Sequence, residues 1–286
     1  MDGIVTRNEP ETEWEEFDRA FYEVKDVTGR PNEPIADAIN MVSCFGDNAA
    51  AGENPDLVPI DSEGHKATRE RAYFDWDYIC PTHDAYREGL LEMISDCAAA
   101  NDTVRLDDVG FPREDYCRCD RCEQQFAASE FDDWAAWREP VITEFVAAAS
   151  ERVPGRMYLT LYPDAYPGHL SERAGIDLAA LRPYVDEFVV PLYDLEYGTT
   201  YWLESLARGF RSALGGSYAV DGPDPDTPFS IELYAVDVDV DNLIQAAEVA
   251  GTYAKEVFFG YDAAQASAAI RRQDADQQDG KTYGSE

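Results

Sequence analysis

Residues 103–126 read TVRLDDVGFPREDYCRCDRCEQQF. The first four, Thr103 to Leu106, have strand character and run straight into two carboxylates, Asp107 and Asp108. A loop follows with Cys117, Cys119 and Cys122, and a helix is expected from about Glu123. A buried strand ending in paired acids is a costly construction, because a carboxylate taken out of water must be paired or put to use. The strand end therefore marks a candidate site, and the cysteines mark a second feature just beyond it.

Outward from this stretch, apolar runs and helical patterns alternate. Strands are expected at Ile39–Phe45, Ala72–Ile79, Met157–Tyr162, Glu187–Tyr193, Pro228–Tyr234 and Glu256–Tyr261. Helices are expected over Asp84–Ala100, from about Glu123 to Arg152, and over Asp177–Tyr184, Thr200–Leu214, Val240–Tyr253 and Ala263–Arg272. Almost wholly apolar strands alternating with helices indicate a parallel sheet covered on both faces. Several strands end at an acid, among them Asp75, Asp107, Asp164, Asp194 and Asp262, with Glu232 inside its run. That favours an α/β fold of the TIM type, a (β/α) barrel with one strand unassigned, whose strand C-termini form the working face. A doubly wound sheet would want a glycine-rich phosphate loop after its first strand, and Cys44-Phe45-Gly46-Asp47 is not one.

Three divisions follow: an N-terminal helical extension over 1–35, the barrel over 36–272, and a polar tail over 273–286 expected to be disordered. The extension rests on Trp14, Phe17, Phe21 and Val24, whose spacing predicts a helix from about Thr12 to Val27.

The 286 residues suit one barrel of about 250 residues with additions. With 45% hydrophobic residues there is material for a core. Asp and Glu number 58 against 23 Lys and Arg, a net charge of −35. Such a surface repels nucleic acid and anionic membranes. Acids spread along the whole chain suit a halophilic protein working in molar salt, where screening removes the self-repulsion. The first residues, MDGIVTRNEPETEWEEF, have no basic segment followed by an apolar run, so a soluble cytoplasmic protein is expected.

In a reducing compartment six cysteines suggest metal binding before disulfides. Cys44, in a strand, and Cys97, on an apolar helix face, are expected in the core. Cys117-x-Cys119-x-x-Cys122 with Cys80, at the end of the preceding apolar run, would supply four thiolates, a set that suits structural zinc; an iron–sulfur cluster is the alternative. His65, His83 and His169 form no pair at ligand spacing, and no Gly-x-Ser-x-Gly elbow is present.

Cys80-Pro81, Tyr86-Arg87, a helix, a strand ending in two acids, the cysteine cluster and Phe126 together resemble the barrel domain of glycoside hydrolase family 42, the β-galactosidase-like enzymes, and related hypothetical glycosyl hydrolases. The match covers roughly Cys80 to Phe126. The resemblance implies a structural zinc on Cys80, Cys117, Cys119 and Cys122, and an oligomer. It implies an acid/base nine residues before the first clustered cysteine, at Asp108, with Gly110 on the motif's glycine. The family's Asn-Glu is Asp-Asp here, so this carboxylate is one methylene shorter. The family's additional domains have no counterpart in a chain of this length.

Glycoside hydrolysis needs two carboxyls flanking the bond. Glu232, the lone acid in the apolar run Phe229–Tyr234, is the chosen partner, and in the resembled family the nucleophile is a Glu on a late strand. Arg105-Leu106-Asp107 also resembles the Arg-x-Asp of α-amylase-type barrels, which would shift a role to Asp107; residues two apart on a strand share a face. Asp75, Trp76, Tyr162, Asp164, Tyr193 and Asp194 are candidate substrate-binding residues for a small-molecule or oligosaccharide substrate. The alternatives are a barrel stapled by zinc that binds carbohydrate or protein without cleaving it, and a metal-dependent hydrolase using the strand-end acids.

Overall fold

Eight strands, all short and nearly all buried, form a closed parallel barrel in sequence order. In this computed structural model, residues 2–283 are described. The strands are β1 (Asp2–Thr6), β2 (Arg19–Lys25), β3 (Ile39–Ser43), β4 (Val104–Asp107), β5 (Met157–Thr160), β6 (Glu187–Pro191), β7 (Phe229–Tyr234) and β8 (Val257–Gly260). The helices are α1 (Asn48–Glu53), α2 (Asp84–Ala100), α3 (Asp120–Ala128), α4 (Trp134–Ser150), α5 (His169–Ala174), α6 (Leu178–Leu181), α7 (Tyr201–Ala213), α8 (Val240–Tyr253) and α9 (Ala263–Tyr283). None of the described helices is long and apolar enough to cross a membrane.

The chain divides into two compact units, one of residues 1–22 with 189–286, the other of residues 23–188. In the first, β1 lies between β2 and β8, with Gly3 opposite both Arg19 and Phe258. A Cβ on Gly3 would fall 2.8 Å from the Phe258 ring, so only glycine fits there. Phe21 packs on Phe258 with ring centroids 4.7 Å apart, and Arg19 is ion-paired with Glu256. Outside these strands α8 packs against α7 and α9. In the second unit β3, β4 and β5 pair in parallel, Ser43 opposite Asp107 and Arg105 opposite Tyr158. Phe45 and Phe145 meet at 4.9 Å beneath α4. Asp133 and Asp239 cap α4 and α8 by accepting from backbone N–H groups of their first turns.

Several expectations are corrected. The segment read as a helix from Thr12 to Val27 within an N-terminal extension is instead a 3-10 turn at Glu9–Glu13 and the strand β2, with β1 before it. Every residue of β2 after Arg19 is buried, so its apolar residues fall on both parities and no period-two signal survives. Ala72–Ile79 is not a strand but an irregular loop, touching Gly46 through a single bridge at Tyr78. Its aromatic residues serve loop packing: Phe74 meets Tyr73, Tyr78 and Tyr116. The helix expected over Glu123–Arg152 is two, α3 and α4, broken at 129–133. The tail expected to be disordered is helical as far as Tyr283; residues 284–286 lie outside the described residues.

Candidate functional site

In the unit of residues 23–188, β4 delivers Asp107 and Asp108 to its C-terminal end. Asp108 has φ 51°, the left-handed region that Asp and Asn tolerate better than other non-glycine residues. Its N–H donates to Asp107 Oδ1 at 2.9 Å. The two backbone carbonyls accept from the exit of the neighbouring strand β3, Cys44 N–H donating to Asp107 O at 2.8 Å and Phe45 N–H to Asp108 O at 3.1 Å. Asp108 Oδ2 lies 2.5 Å from Ser43 Oγ. Burial, then the charge of Asp107, pushes the Asp108 pKa up to about 8, against the pull of Ser43 and Lys25. A carboxyl in that state donates a proton at neutral pH.

Lys25 on β2 is 3% exposed and crosses to this region. Its ammonium donates to Ser43 O at 2.8 Å and Gly46 O at 2.9 Å and lies 3.3 Å from Asp47 Oδ2. Tyr86 Oη lies 2.8 Å from that same Asp47 oxygen. Ser43 and Lys25 were not singled out in the sequence. The available signals were a lysine inside the apolar run AFYEVK and a hydroxyl at a strand's last position. Arg105, fully buried, donates from Nε to Thr160 Oγ1 at 3.0 Å.

Gly110, two residues beyond Asp108, has φ 143°, and a Cβ there would fall 3.0 Å from Ala174 Cβ and 3.1 Å from Ala174 O. Gly110→Ala is expected to destabilise by about 3 kcal/mol through backbone strain and overpacking. Chemical denaturation checks this, and a loss below about 0.5 kcal/mol would contradict it.

The loop after Gly110 brings the four cysteines together. Sγ atoms of Cys80, Cys117, Cys119 and Cys122 all lie within 4.8 Å of one another, and all four are free thiols. Cys80 Sγ is 3.4 Å from Cys122 Sγ and 4.0 Å from Cys119 Sγ. Metal–sulfur bonds of about 2.3 Å at tetrahedral angles put sulfurs about 3.8 Å apart, whereas a disulfide needs about 2.05 Å. The spacing therefore suits one shared metal ion. Thr82 Oγ1 lies 3.2 Å from Cys80 Sγ and 3.3 Å from Cys122 Sγ, and Cys119 N–H donates to Cys117 Sγ at 3.4 Å, so thiolates would have donors around them. Cys119 also stands at the N-cap of α3, where the helix favours negative charge. Arg138 of α4, 1% exposed, holds the loop from below through Arg113 O at 2.8 Å and Tyr116 O at 2.7 Å. His83 caps α2, its Nδ1 accepting from Tyr86 N–H. Cys44 and Cys97 are fully buried, as expected, and burial pushes the Cys97 thiol up to about 12.

Of the other candidates in this unit, Trp76 is half-buried with its ring 5.7 Å from that of Tyr78, and Asp75 is exposed. Burial, and after it the charge of Asp108, raises the Tyr78 pKa. Tyr162, 40% exposed, lies under the Arg173 guanidinium at 3.7 Å from its ring centroid. Asp164 accepts from Tyr166 N–H at 3.0 Å and meets His169 Nδ1 at 3.0 Å.

In the other unit Glu232 lies on β7 with no exposed surface, and the Tyr193 hydroxyl donates to its Oε1. Gly260 of β8 leaves it room: a Cβ there would stand 3.1 Å from Oε1. Tyr193 is 44% exposed, with its ring 5.5 Å from that of Tyr234. Asp194 accepts from Glu196 N–H at 3.1 Å, closing a loop turn.

No family model matches the chain, and no curated protein is similar to it. Solved structures are. One is the PgaB (BpsB) glycoside hydrolase domain from Bordetella bronchiseptica, with a TM-score of 0.57 and 15% identity over 79% of this chain and 70% of that one. Another is α-L-fucosidase isoenzyme 2 from Paenibacillus thiaminolyticus, with a TM-score of 0.60 and 13% identity over 89% of this chain and 43% of that one. At these identities the likeness is one of fold, a barrel of the kind that these two proteins carry.

Proposed function

We propose that this chain is a glycoside hydrolase-like enzyme that cleaves a glycosidic bond with two carboxylates. Asp108 is the proton donor; with Glu232 as the nucleophile Asp108 then becomes the base, whereas with Glu232 as the base that activates water it stays the acid alone. The observation that carries this reading is the carboxyl of Asp108 at the end of a barrel strand, raised to about 8 and so able to protonate a leaving oxygen at neutral pH. The fold likeness to a glycoside hydrolase domain and a fucosidase supports it. Asp107 raises Asp108 by its charge and is the second candidate for the acid. Trp76, Tyr162 and Tyr193 offer rings for sugar faces, and Asp75, Asp164 and Asp194 offer acceptors for hydroxyls.

The metal of the four thiolates is zinc in this reading. The donor set leaves no open position, so its role is structural, as in the family 42 enzymes that the cysteine stretch resembles. The setting is a salt-rich cytoplasm, and the chain works as an oligomer.

A second reading is a zinc-stapled barrel that binds carbohydrate or protein without hydrolysis. Two observations favour it: the shortened acid at position 108, and the complete burial of Glu232, whose Oε1 accepts from the Tyr193 hydroxyl. A panel of aryl glycosides and oligosaccharides, assayed in molar salt, separates the two. Hydrolysis by the wild type that disappears in both Asp108→Asn and Glu232→Gln supports the enzyme. Saturable sugar binding without turnover supports the binder.

A further inference from the structure

Ser43, the last residue of β3, is 2% exposed, and its hydroxyl has two acceptors within reach, Asp108 Oδ2 at 2.5 Å and Gly46 O at 3.1 Å. A hydroxyl has one proton to donate and lone pairs to accept with. If Ser43 donates to Gly46, its oxygen must accept from Asp108, which requires the protonated acid. If it donates to Asp108, it serves the carboxylate. Gly46 O keeps a donor in either case, because Lys25 Nζ lies 2.9 Å from it. The same ammonium pins Ser43 O at 2.8 Å and is itself held by Asp47 at 3.3 Å. The hydroxyl can therefore turn without leaving a buried group unsatisfied, which is the usual cost of such a move.

We propose that Ser43 is a positioning residue that serves both protonation states of Asp108, its single proton turning from the Gly46 carbonyl to the Asp108 carboxylate when the acid is spent. The catalytic meaning rests on the function proposed above; the hydrogen-bond exchange does not. In the retaining form of that function, Asp108 first gives its proton to the leaving oxygen as that oxygen's bond to the anomeric carbon breaks and the Glu232 carboxylate bonds the carbon; the Ser43 O–H rotates onto Asp108 Oδ2 with no covalent bond of Ser43 broken. In the second step water bonds the carbon and displaces Glu232 while Asp108 takes the water's proton, and Ser43 turns back to Gly46. An acid that must become a base within one cycle needs a neighbour that suits both forms. The groups facing Asp108 in its own unit are Asp107 on β4, Glu23 and Lys25 on β2, Cys44 after β3, Tyr78 on the loop and Tyr86 on α2. Among them Lys25 favours the ionised form, and Asp107 and Glu23 oppose it.

The test is a carboxyl-carbon NMR titration of Asp108 in the full chain. Ser43→Ala is expected to raise the midpoint by about one pH unit, a tenfold change in ionisation constant, because the charged form loses its donor. Ser43→Thr, which keeps the hydroxyl, is expected to restore it. An unmoved or lowered midpoint in Ser43→Ala overturns the proposal. In the wild type the Ser43 Cβ resonance should titrate with the Asp108 midpoint, and a flat Ser43 resonance across that range also overturns it without any variant. With hydrolysis in hand, the alkaline limb of kcat/KM should follow the midpoint while KM stays constant. A wild type that hydrolyses nothing removes the enzyme reading, and the two titrations still decide the role of Ser43.

Discussion

Asp108→Asn is expected to abolish turnover and, above pH 6, to make the protein more stable than the wild type. A general acid contributes about 100- to 10,000-fold, so hydrolysis should fall by about a thousandfold or more. The stability gain follows from linkage. Asp108 has an ordinary pKa of 3.8 and a folded one of about 8. Between those values the folded chain holds a proton that the unfolded chain has released. The contribution of Asp108 to stability is therefore full below about pH 4 and is lost as pH rises through 8, at about 1.4 kcal/mol per pH unit. Asn carries no such proton. At pH 8 the variant should lead by on the order of 4 kcal/mol, allowing for partial solvent access, and at pH 4 the two should be close. Asn also tolerates the backbone at φ 51° and can donate to Ser43, so the local geometry survives the change. Urea denaturation at pH 4 and pH 8 measures both ends. An Asn variant with the same offset at each pH would remove the elevated Asp108 from the account.

Cys122→Ser is expected to cost the most stability of any single cysteine change. Cys122 is fully buried and lies beside Cys80 and Thr82. With the zinc proposed for the four thiolates, losing one ligand would release the metal and leave the remaining buried thiols without their common partner, a loss of about 4 kcal/mol and roughly 8 °C in Tm. Metal analysis should find one zinc per wild-type chain and less than about a tenth of that in the variant. Chelation of the wild type should lower stability and activity together, and added zinc should restore both. A wild type purified without metal, with Cys122→Ser melting at the same temperature, would defeat the metal reading. Activity lost on chelation at constant Tm would instead point to a metal-dependent hydrolase.

The parts of the fold legible in the sequence were those with one-sided signals. Val104 to Asp107 stood out because an apolar run met two acids, and α8 because Leu243, Ile244, Ala247 and Ala250 recur at helical spacing, of which Leu243 and Ala250 are buried with Ala246. β2 was hidden because a barrel strand buries both faces, and because Glu23 and Lys25 place charges inside it. The aromatic richness of Ala72–Ile79 imitated a strand, although it binds a loop together through Phe74. Spacing alone was enough to group Cys117, Cys119 and Cys122, and the distant Cys80 joined them through its place at the end of the preceding apolar run. Ser43 and Lys25 were not legible as site residues. A serine among Ile39–Phe45 has nothing local to distinguish it, and its partner Asp108 is 65 residues away.

The closing pair of strands bears on how the chain is made. Asp2 pairs with Val257 and Val5 with Gly260, and the unit holding them is assembled from residues 1–22 and 189–286. The other unit, residues 23–188, is continuous in sequence. On a ribosome the continuous unit can gather its contacts while synthesis proceeds. β1, made before the other strands of the barrel, must wait for β8, about 250 residues later, before its second edge is covered. Until then it presents an unpaired apolar edge, which is where a nascent chain of this kind is most exposed to misassociation. In such a chain the dense acidic charge has a use before folding ends, since like-charged nascent chains keep apart.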